Sequence, residues 1–216
     1  MSMPTPFPTP TGSQMTARPD IIDLLAGIAP GSPLDSLRAA RQQARDNAQG
    51  SYLALFEPAE TTHVSLAERF AIATFVCALH RQETETDFYR RGLEAAPGGA
   101  ALAPVVLEEA ARGATEGPKG HYPAGPLTPE NTEPPAFALS DAGKAALGAR
   151  LSAALAHAHF LVFHPRDAAP ERLQRLLEAG WSATGIVTLS QLIAFLAFQL
   201  RVIHGLRALA RSGVAH

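Results

Sequence analysis

The stretch LLEAGWSATGIVTLSQLIAFLAFQLRVIHGLRAL, residues 176–209, is the longest apolar segment of the chain and decides its fold. Gly180 can end one helix in a left-handed conformation, and Ser182 can then accept backbone N–H bonds at the start of the next. We expect that next helix to run to about Arg211, which is about 45 Å at 1.5 Å per residue.

The apolar run over residues 186–203 is long enough to suggest a membrane span. Ser190, Gln191, Gln199 and Arg201 interrupt it, and a buried charge is costly in lipid. We therefore interpret it as a core helix and expect no membrane partner. Because apolar residues occupy nearly every face, we expect other helices, and a second subunit, to surround it.

The composition narrows the classes of partner. The chain has 216 residues, of which 46% are hydrophobic, as in a globular domain. Lys and Arg number 18 against 20 Asp and Glu, without a basic block, so we expect no nucleic acid partner. The single cysteine, Cys77, excludes an internal disulfide, and no secretory signal is recognisable, so a cytoplasmic location is expected.

Two patterns near the start of the chain predict helices. Residues 18–29 carry apolar side chains at helical spacing and predict a short docking helix. Ser32 can cap, and Pro33 can start, a second helix that ends before Pro58. Gly50 lies within this helix, and a break there would give two pieces.

A capping box marks the first core helix. In Ser65-Leu66-Ala67-Glu68, the serine and the glutamate can each satisfy the other's backbone donor. The body that follows, residues 69–80, is apolar around most of its circumference, which indicates a core helix. A later short helix over residues 102–112 is expected to turn Glu108 and Glu109 towards water.

A loop rich in proline and glycine, residues 113–138, interrupts the helical patterns. No helix or central strand can pass through it. A loop this long serves as a lid, a subunit contact or a link between two halves, and we favour a link packed on the surface. His121 and Tyr122 are its most site-like residues.

The predicted fold is an all-α multi-helix bundle, because no segment sustains the alternation of a strand. Residues 1–17, rich in Pro, Thr and Ser, are expected to form a flexible N-terminal arm. Residues 18–216 are expected to form a single domain, with halves at about 18–112 and 139–216.

The two core helices suggest a weak internal repeat. Each follows a serine cap, and when they are laid on each other without gaps Gln82 aligns with Gln199. Two pseudo-repeated halves would explain the long central loop, although generic amphipathic helices align equally well.

The segments SLAERFAIATFVCALH, residues 65–80, and LLEAGWSATGIVTLSQLIAFLAFQLR, residues 176–201, resemble the carboxymuconolactone decarboxylase and alkylhydroperoxidase D-like superfamily. The resemblance covers both halves of the chain. It implies an all-α, often oligomeric protein of peroxidase, antioxidant or small-acid decarboxylase type. Peroxidase members carry a motif of Glu, eleven residues, Cys-x-x-Cys, three residues and His.

Two registers of that motif fit the sequence, and neither restores the cysteine pair. If Glu68 is the glutamate, the two cysteine positions hold His80 and Glu83, and the histidine position holds Asp87. An intramolecular catalytic disulfide needs two thiols, so two-cysteine peroxidase chemistry is not expected.

In the second register Phe70 takes the glutamate position. The cysteine positions then hold Gln82 and Glu85, and the histidine position holds Tyr89. Cys77 lies outside both registers. What the resemblance then implies is the decarboxylase-like side of the superfamily, in which polar side chains handle protons.

Glu68, Cys77 and His80 are the candidate catalytic residues. Cys77 and His80 share a helix face, so the imidazole could lower the thiol pKa. The alternative is a buried small hydrophobe beside a histidine at a helix end. Glu68 is either a proton-transfer carboxylate or only a capping residue.

Gln82, Gln199 and Arg201 are the candidate substrate-binding residues. Arg201, in an apolar setting, needs either a ligand's acid group or a buried carboxylate, for which the candidates are Glu68, Glu83 and Glu85. Gln199 is expected to bond a neighbouring helix, or to line a small cavity with Gln82.

Three histidines in HAHFLVFHP, His157, His159 and His164, raise the question of a metal site. His157 and His159 point to different faces, and His157 and His164 are about 10 Å apart along a helix. We therefore expect neither a metal nor a cofactor.

Two classes of function stay open. The first is a family-type enzyme that transfers protons on a small acid, with Glu68, His80 and Arg201 converging. The second is a non-catalytic homo-oligomeric protein that binds a ligand or interacts through its apolar helices.

Overall fold

The computed structural model describes residues 19–213, so the predicted arm at residues 1–17 lies outside the described part of the chain. Within residues 19–213 the chain forms α-helices and no strand, which confirms the all-α prediction. The helices are α1 (Ile21–Ala26), α2 (Pro33–Ala39), α3 (Gln42–Phe56), α4 (Leu66–Leu79), α5 (Glu83–Ala95), α6 (Ala103–Gly113), α7 (Asp141–Phe163), α8 (Pro170–Glu178) and α9 (Ala183–Ser212).

Helix α4 is the centre of the bundle, since it packs against α3, α5, α6, α7 and α9. Ile72, Phe75 and Val76 are completely buried on it. The predicted capping box starts the helix: Ser65 N donates to Glu68 Oε2 at 2.8 Å, and Glu68 N donates to Ser65 Oγ at 3.2 Å.

The predicted start of α9 is also confirmed. Gly180 has a φ of +90° after α8, and Ser182 Oγ accepts from the backbone N–H of Gly185 at 3.1 Å. One face of α9 packs on α1, α3, α4, α7 and α8. The opposite face is bare within residues 19–213, where Val187 and Phe198 are 56% and 48% exposed.

Two helices, α7 and α9, are long and apolar enough to cross a membrane by length and composition. That is weak evidence, because buried core helices pass the same test. Helix α7 also bends at Gly148, whose φ of 73° and ψ of 167° are not helical. Its longer straight piece, residues 149–163, spans about 22 Å, less than the roughly 30 Å of a bilayer core.

The predicted single helix from Pro33 to about Phe56 was wrong: the chain breaks between α2 and α3, and not at Gly50, which was the alternative and lies inside α3. Ion pairs fix both helices around α1. Arg38 of α2 lies 2.7 Å from Asp20 and 2.8 Å from Asp23, and Arg45 of α3 also pairs with Asp23. A glycine inside a helix lowers helix stability by only about 1 kcal/mol, and the contacts of α3 outweigh this cost at Gly50.

The expectation that Glu109 faces water was also wrong, whereas Glu108 is exposed. Glu109 is 1% exposed, and its carboxylate accepts from the backbone N–H of Ser140 at 3.2 Å and from the Ser140 hydroxyl. Ser140 caps α7, and a carboxylate is favourable at the positive end of a helix. Glu109 therefore joins α6 to the first turn of α7.

The loop at residues 113–138 packs on the end of α7. It contains only a short 3₁₀ turn at Thr128–Glu130 and one isolated antiparallel bridge between Gly120 and Thr132. Lys119 N donates to the Phe163 carbonyl at 2.6 Å, which pins the loop to the bundle. The main hydrophobic core takes side chains from both sides of this loop.

Candidate functional site

Four polar side chains lie in the core where α4, α5 and α9 meet. Cys77, Glu85, Tyr89 and Gln199 are each completely buried, and we call these four residues the polar cluster. The Tyr89 hydroxyl donates to Gln199 Oε1 at 2.6 Å, which joins α5 to α9. Glu85 and Tyr89 are four residues apart, so they share one face of α5.

A tight turn between α4 and α5 makes this meeting possible. Arg81 has a φ of +57°, in the left-handed region that non-glycine residues rarely adopt. Gln82 N donates to the Cys77 carbonyl at 3.1 Å, and Arg81 N donates to the Ala78 carbonyl at 2.9 Å. These two bonds form a Schellman motif, which ends α4 and turns α5 back against it.

Arg207 supplies the charge partner of Glu85. Its Nη2 atom lies 2.8 Å from Glu85 Oε1. The contact is an ion pair and not a hydrogen bond, because the donor geometry is unfavourable. Neither oxygen of Glu85 accepts a hydrogen bond from the described residues, and Gln199 Nε2 finds no acceptor there either. A buried carboxylate needs a countercharge, so the cluster holds an ion pair with unused hydrogen-bonding capacity.

Of the two alternatives for Cys77, the geometry supports the buried small hydrophobe and gives no support to a reactive thiolate. Burial raises the pKa of the Cys77 thiol well above its usual range, and the nearby Glu85 carboxylate acts in the same direction. Burial also lowers the pKa of His80, as does the charge of Arg201, which favours the neutral imidazole. His80 therefore brings no positive charge to stabilise a thiolate.

Glu68 does not belong to the polar cluster. It starts α4, where it caps the helix and pairs with Arg150 of α7 at 2.6 Å. His80 lies at the other end of α4, about 18 Å along the axis, so the expected convergence of Glu68 and His80 was wrong. Arg150 also donates to the Gly180 and His63 carbonyls, which makes the surroundings of Glu68 structural.

Arg201 is exposed, contrary to the expectation of a buried cation. Its Nη1 atom donates to the Ala197 carbonyl of its own helix at 2.7 Å, and it forms no ion pair within residues 19–213. Arg207 pairs with Glu85 in its place. Gln199, Ile203 and Arg207 are spaced by four residues and share one face of α9, from which Gln199 and Arg207 reach α5, whereas Arg201 is rotated by about 200° from Gln199.

Gln82 and Gln199 do not bond to each other. Gln82 Nε2 donates to the His80 carbonyl at 3.0 Å, within its own turn, whereas Gln199 reaches Tyr89. Sequence reasoning did not select Glu85, Tyr89 and Arg207 as site residues. Their signals were the second register of the family motif and the four-residue spacing of Gln199, Ile203 and Arg207.

A second polar group lies where the loop meets the end of α7. Asp167 Oδ1 accepts from the backbone N–H of His121 at 3.0 Å, and His164 Nδ1 lies 3.3 Å from Asp167 Oδ2. The guanidinium of Arg166 lies over the Tyr122 ring, 4.1 Å from the ring centre. These contacts hold the loop in place.

Among residues 19–213 there is no group of three or more His, Cys, Asp and Glu side chains that could hold a metal ion, and the α7 histidines make other contacts. His159 stacks on Phe137 at 4.2 Å, and its Nε2 lies 3.0 Å from the Gly113 carbonyl. Burial lowers the pKa of His159 to about 4, so a neutral ring donates this bond at neutral pH.

Comparison of the chain with protein-family models, curated proteins and solved structures finds no match. The superfamily resemblance of residues 65–80 and 176–201 therefore stays a prediction from the sequence.

Proposed function

We propose that the chain is a carboxymuconolactone decarboxylase-like and alkylhydroperoxidase D-like protein that transfers protons on a small organic acid at the polar cluster. The observation that carries this proposal is the Glu85 carboxylate, which is completely buried beside Arg207 with neither oxygen accepting a hydrogen bond. Buried titratable groups with specific charge partners are typical of functional sites.

The second register of the family motif supports this assignment. It puts Glu85 at the second cysteine position and Tyr89 at the histidine position, and these two residues meet in the core with Cys77 and Gln199. Groups that exchange protons thus replace the thiol and the imidazole of the peroxidase members.

Each residue has a distinct role in this proposal. Glu85 takes a proton from the carbon acid and returns it, and Arg207 binds the substrate carboxylate. Gln199 Nε2, which has no acceptor within residues 19–213, donates to the substrate, and the hydrogen bond from Tyr89 holds Gln199 in place. In a decarboxylation, the bond between the carboxylate carbon and its neighbour breaks, carbon dioxide leaves, and the electron pair left on the neighbouring carbon takes up a proton that Glu85 relays from solvent.

The test is proton exchange and decarboxylation with carboxymuconolactone and related small keto and lactone acids, measured by NMR in deuterated water and by carbon dioxide release. Glu85→Gln is expected to abolish turnover, while Cys77→Ser and Arg201→Gln retain it. Turnover that survives Glu85→Gln contradicts the proposal. Hydroperoxide reduction that survives Cys77→Ser but is lost in Glu85→Gln replaces it with a peroxidase mechanism of another kind.

We also propose that the protein is a cytoplasmic homo-oligomer joined through the bare face of α9. The supporting observation is the exposure of Phe198 and Val187 beside a groove of about 510 Å³ between α3 and α9. Exposed apolar patches next to a groove mark interaction sites.

Light scattering during size exclusion tests the oligomer. Phe198→Glu is expected to lower the measured mass, whereas Leu173→Glu, a similarly exposed leucine on α8, leaves it unchanged. A wild-type protein that elutes as a monomer contradicts this part of the proposal.

A further inference from the structure

We propose that a binding site for a small oxyanion lies between α7 and α8, formed by His157, Arg172 and Arg175. These three side chains line a cavity of about 160 Å³ whose remaining walls are apolar, among them Phe160 and Leu176. None of its lining residues belongs to the polar cluster, so the site is separate from the proposed proton-transfer centre.

His157 is the buried member of the site. It is 7% exposed, and its Nε2 atom has no hydrogen-bond partner among the described residues. Burial lowers the pKa of His157 to about 4, and the charge of Arg172 acts in the same direction. A neutral imidazole can carry its proton on Nε2 and donate it to an anion.

Arg172 is held in a fixed orientation. Its guanidinium lies 3.9 Å above the centre of the Phe160 ring, and its Nε donates to the Asp167 carbonyl at 3.2 Å. These two contacts use the ring face and Nε, and no ion pair within residues 19–213 uses the Nη groups. The outer edge of the guanidinium can therefore bind two oxygens of one anion.

Arg175 adds a second unneutralised cation. It lies three residues after Arg172 on α8 and is exposed, and its side chain forms no ion pair or hydrogen bond within residues 19–213. Burial lowers the pKa of Arg172 first, the charge of Arg175 lowers it further because like charges repel, and the Asp167 carboxylate acts in the opposite direction. An anion between them relieves that repulsion.

No nearby carboxylate within residues 19–213 lies between Arg172 and Arg175 as their ion-pair partner. The Asp167 carboxylate faces His121 and His164, and neither Glu171 nor Glu178 of α8 forms an ion pair with either arginine. The cavity volume suits a compact acid, either inorganic phosphate or a short carboxylate. Both ligands present oxyanion oxygens. The three donors of the site can bind these oxygens above its apolar floor.

Isothermal titration of the full chain at pH 7 in a low-chloride buffer, with inorganic phosphate and separately with malonate, tests the site. We expect saturable binding of at least one of them, and the tighter of the two identifies the class of ligand. Arg175→Gln is expected to weaken that binding about tenfold, the loss of one charge-assisted contact. Arg41→Gln, which removes the same charge from an exposed site at the start of α3, leaves it unchanged.

Histidine NMR supplies a second readout. Saturation with the bound anion is expected to raise the pKa of His157 from about 4, because an anion stabilises the charged imidazolium. The proposal is overturned if neither probe binds saturably, if Arg175→Gln and Arg41→Gln weaken binding equally, or if the pKa of His157 is unchanged on saturation.

Discussion

Arg207 Nη2 lies 2.8 Å from Glu85 Oε1, and this ion pair joins the last third of α9 to the first turn of α5. The two partners differ in burial: the Glu85 side chain is 1% exposed and that of Arg207 is 24% exposed. Arg207 also donates to the Leu25 carbonyl at the end of α1. One side chain thus connects the buried carboxylate, the docking helix and the surface.

Replacing Arg207 is expected to destabilise the fold, because it leaves the Glu85 carboxylate buried without a countercharge. We expect Arg207→Gln to lower the free energy of unfolding by about 3 kcal/mol, measured by urea denaturation at pH 7. The matched control, Arg201→Gln, removes an exposed cation from the same helix and is expected to change it by less than about 0.5 kcal/mol. Equal losses in the two variants would contradict the assigned ion pair.

Removing the Tyr89 hydroxyl leaves the buried Gln199 Oε1 without its donor. We expect Tyr89→Phe to cost about 2 kcal/mol of unfolding free energy. Tyr122→Phe, which keeps the ring beneath Arg166, serves as the control and is expected to be close to neutral. A double variant, Tyr89→Phe with Gln199→Leu, is expected to recover part of the loss, and no recovery argues against the hydrogen bond.

The buried histidines are expected to make stability depend on pH. Burial lowers the pKa of His159 from 6.5 to about 4, so the unfolded chain takes up the proton more readily. Stability contributed by the neutral ring is complete above pH 6.5 and is lost as the pH falls towards 4, up to about 3 kcal/mol. His159→Gln is expected to flatten the unfolding free energy between these pH values, and a slope equal to that of the wild type would contradict the prediction.

The Cys77 thiol is expected to be inert in the folded protein. It is completely buried and its pKa is raised, so a thiol-reactive disulfide reagent at pH 8 can reach a thiolate only after opening of the core. The rate of labelling should therefore rise with added urea in parallel with unfolding. Rapid labelling of the native chain, at the rate of a small free thiol, would contradict this prediction.

Features that depend on a few neighbouring residues were predictable from the sequence. The predictions of caps at Ser65 and Ser182 and of a left-handed Gly180 are confirmed. Each was predictable because the backbone interaction involved lies within four residues. The burial of Glu109 was not, because its partner Ser140 lies 31 residues away, across the loop.

The candidate site was less predictable because it depends on how α9 is rotated against α5. Both Arg201 and Arg207 follow apolar residues, and the sequence alone does not say which one faces Glu85. Once Gln199 is known to be buried, the four-residue spacing of Gln199, Ile203 and Arg207 identifies Arg207 as the partner. Glu85 and Tyr89 likewise became site residues only when the tight turn at Arg81 brought α5 against α4.

Glu109 stabilises the start of a helix that belongs to the other side of the loop. Ser140 Oγ caps α7 by accepting from the Gly143 N–H, and the Glu109 carboxylate of α6 accepts from the Ser140 N–H and hydroxyl, so the first turn of α7 is complete only when α6 packs against it. The order of folding is thereby coupled across the proline-rich segment. A chain cut between Gly125 and Leu127 is expected to give two fragments that fold only when mixed. The covalent link is not required for this folding, whereas Glu109 is.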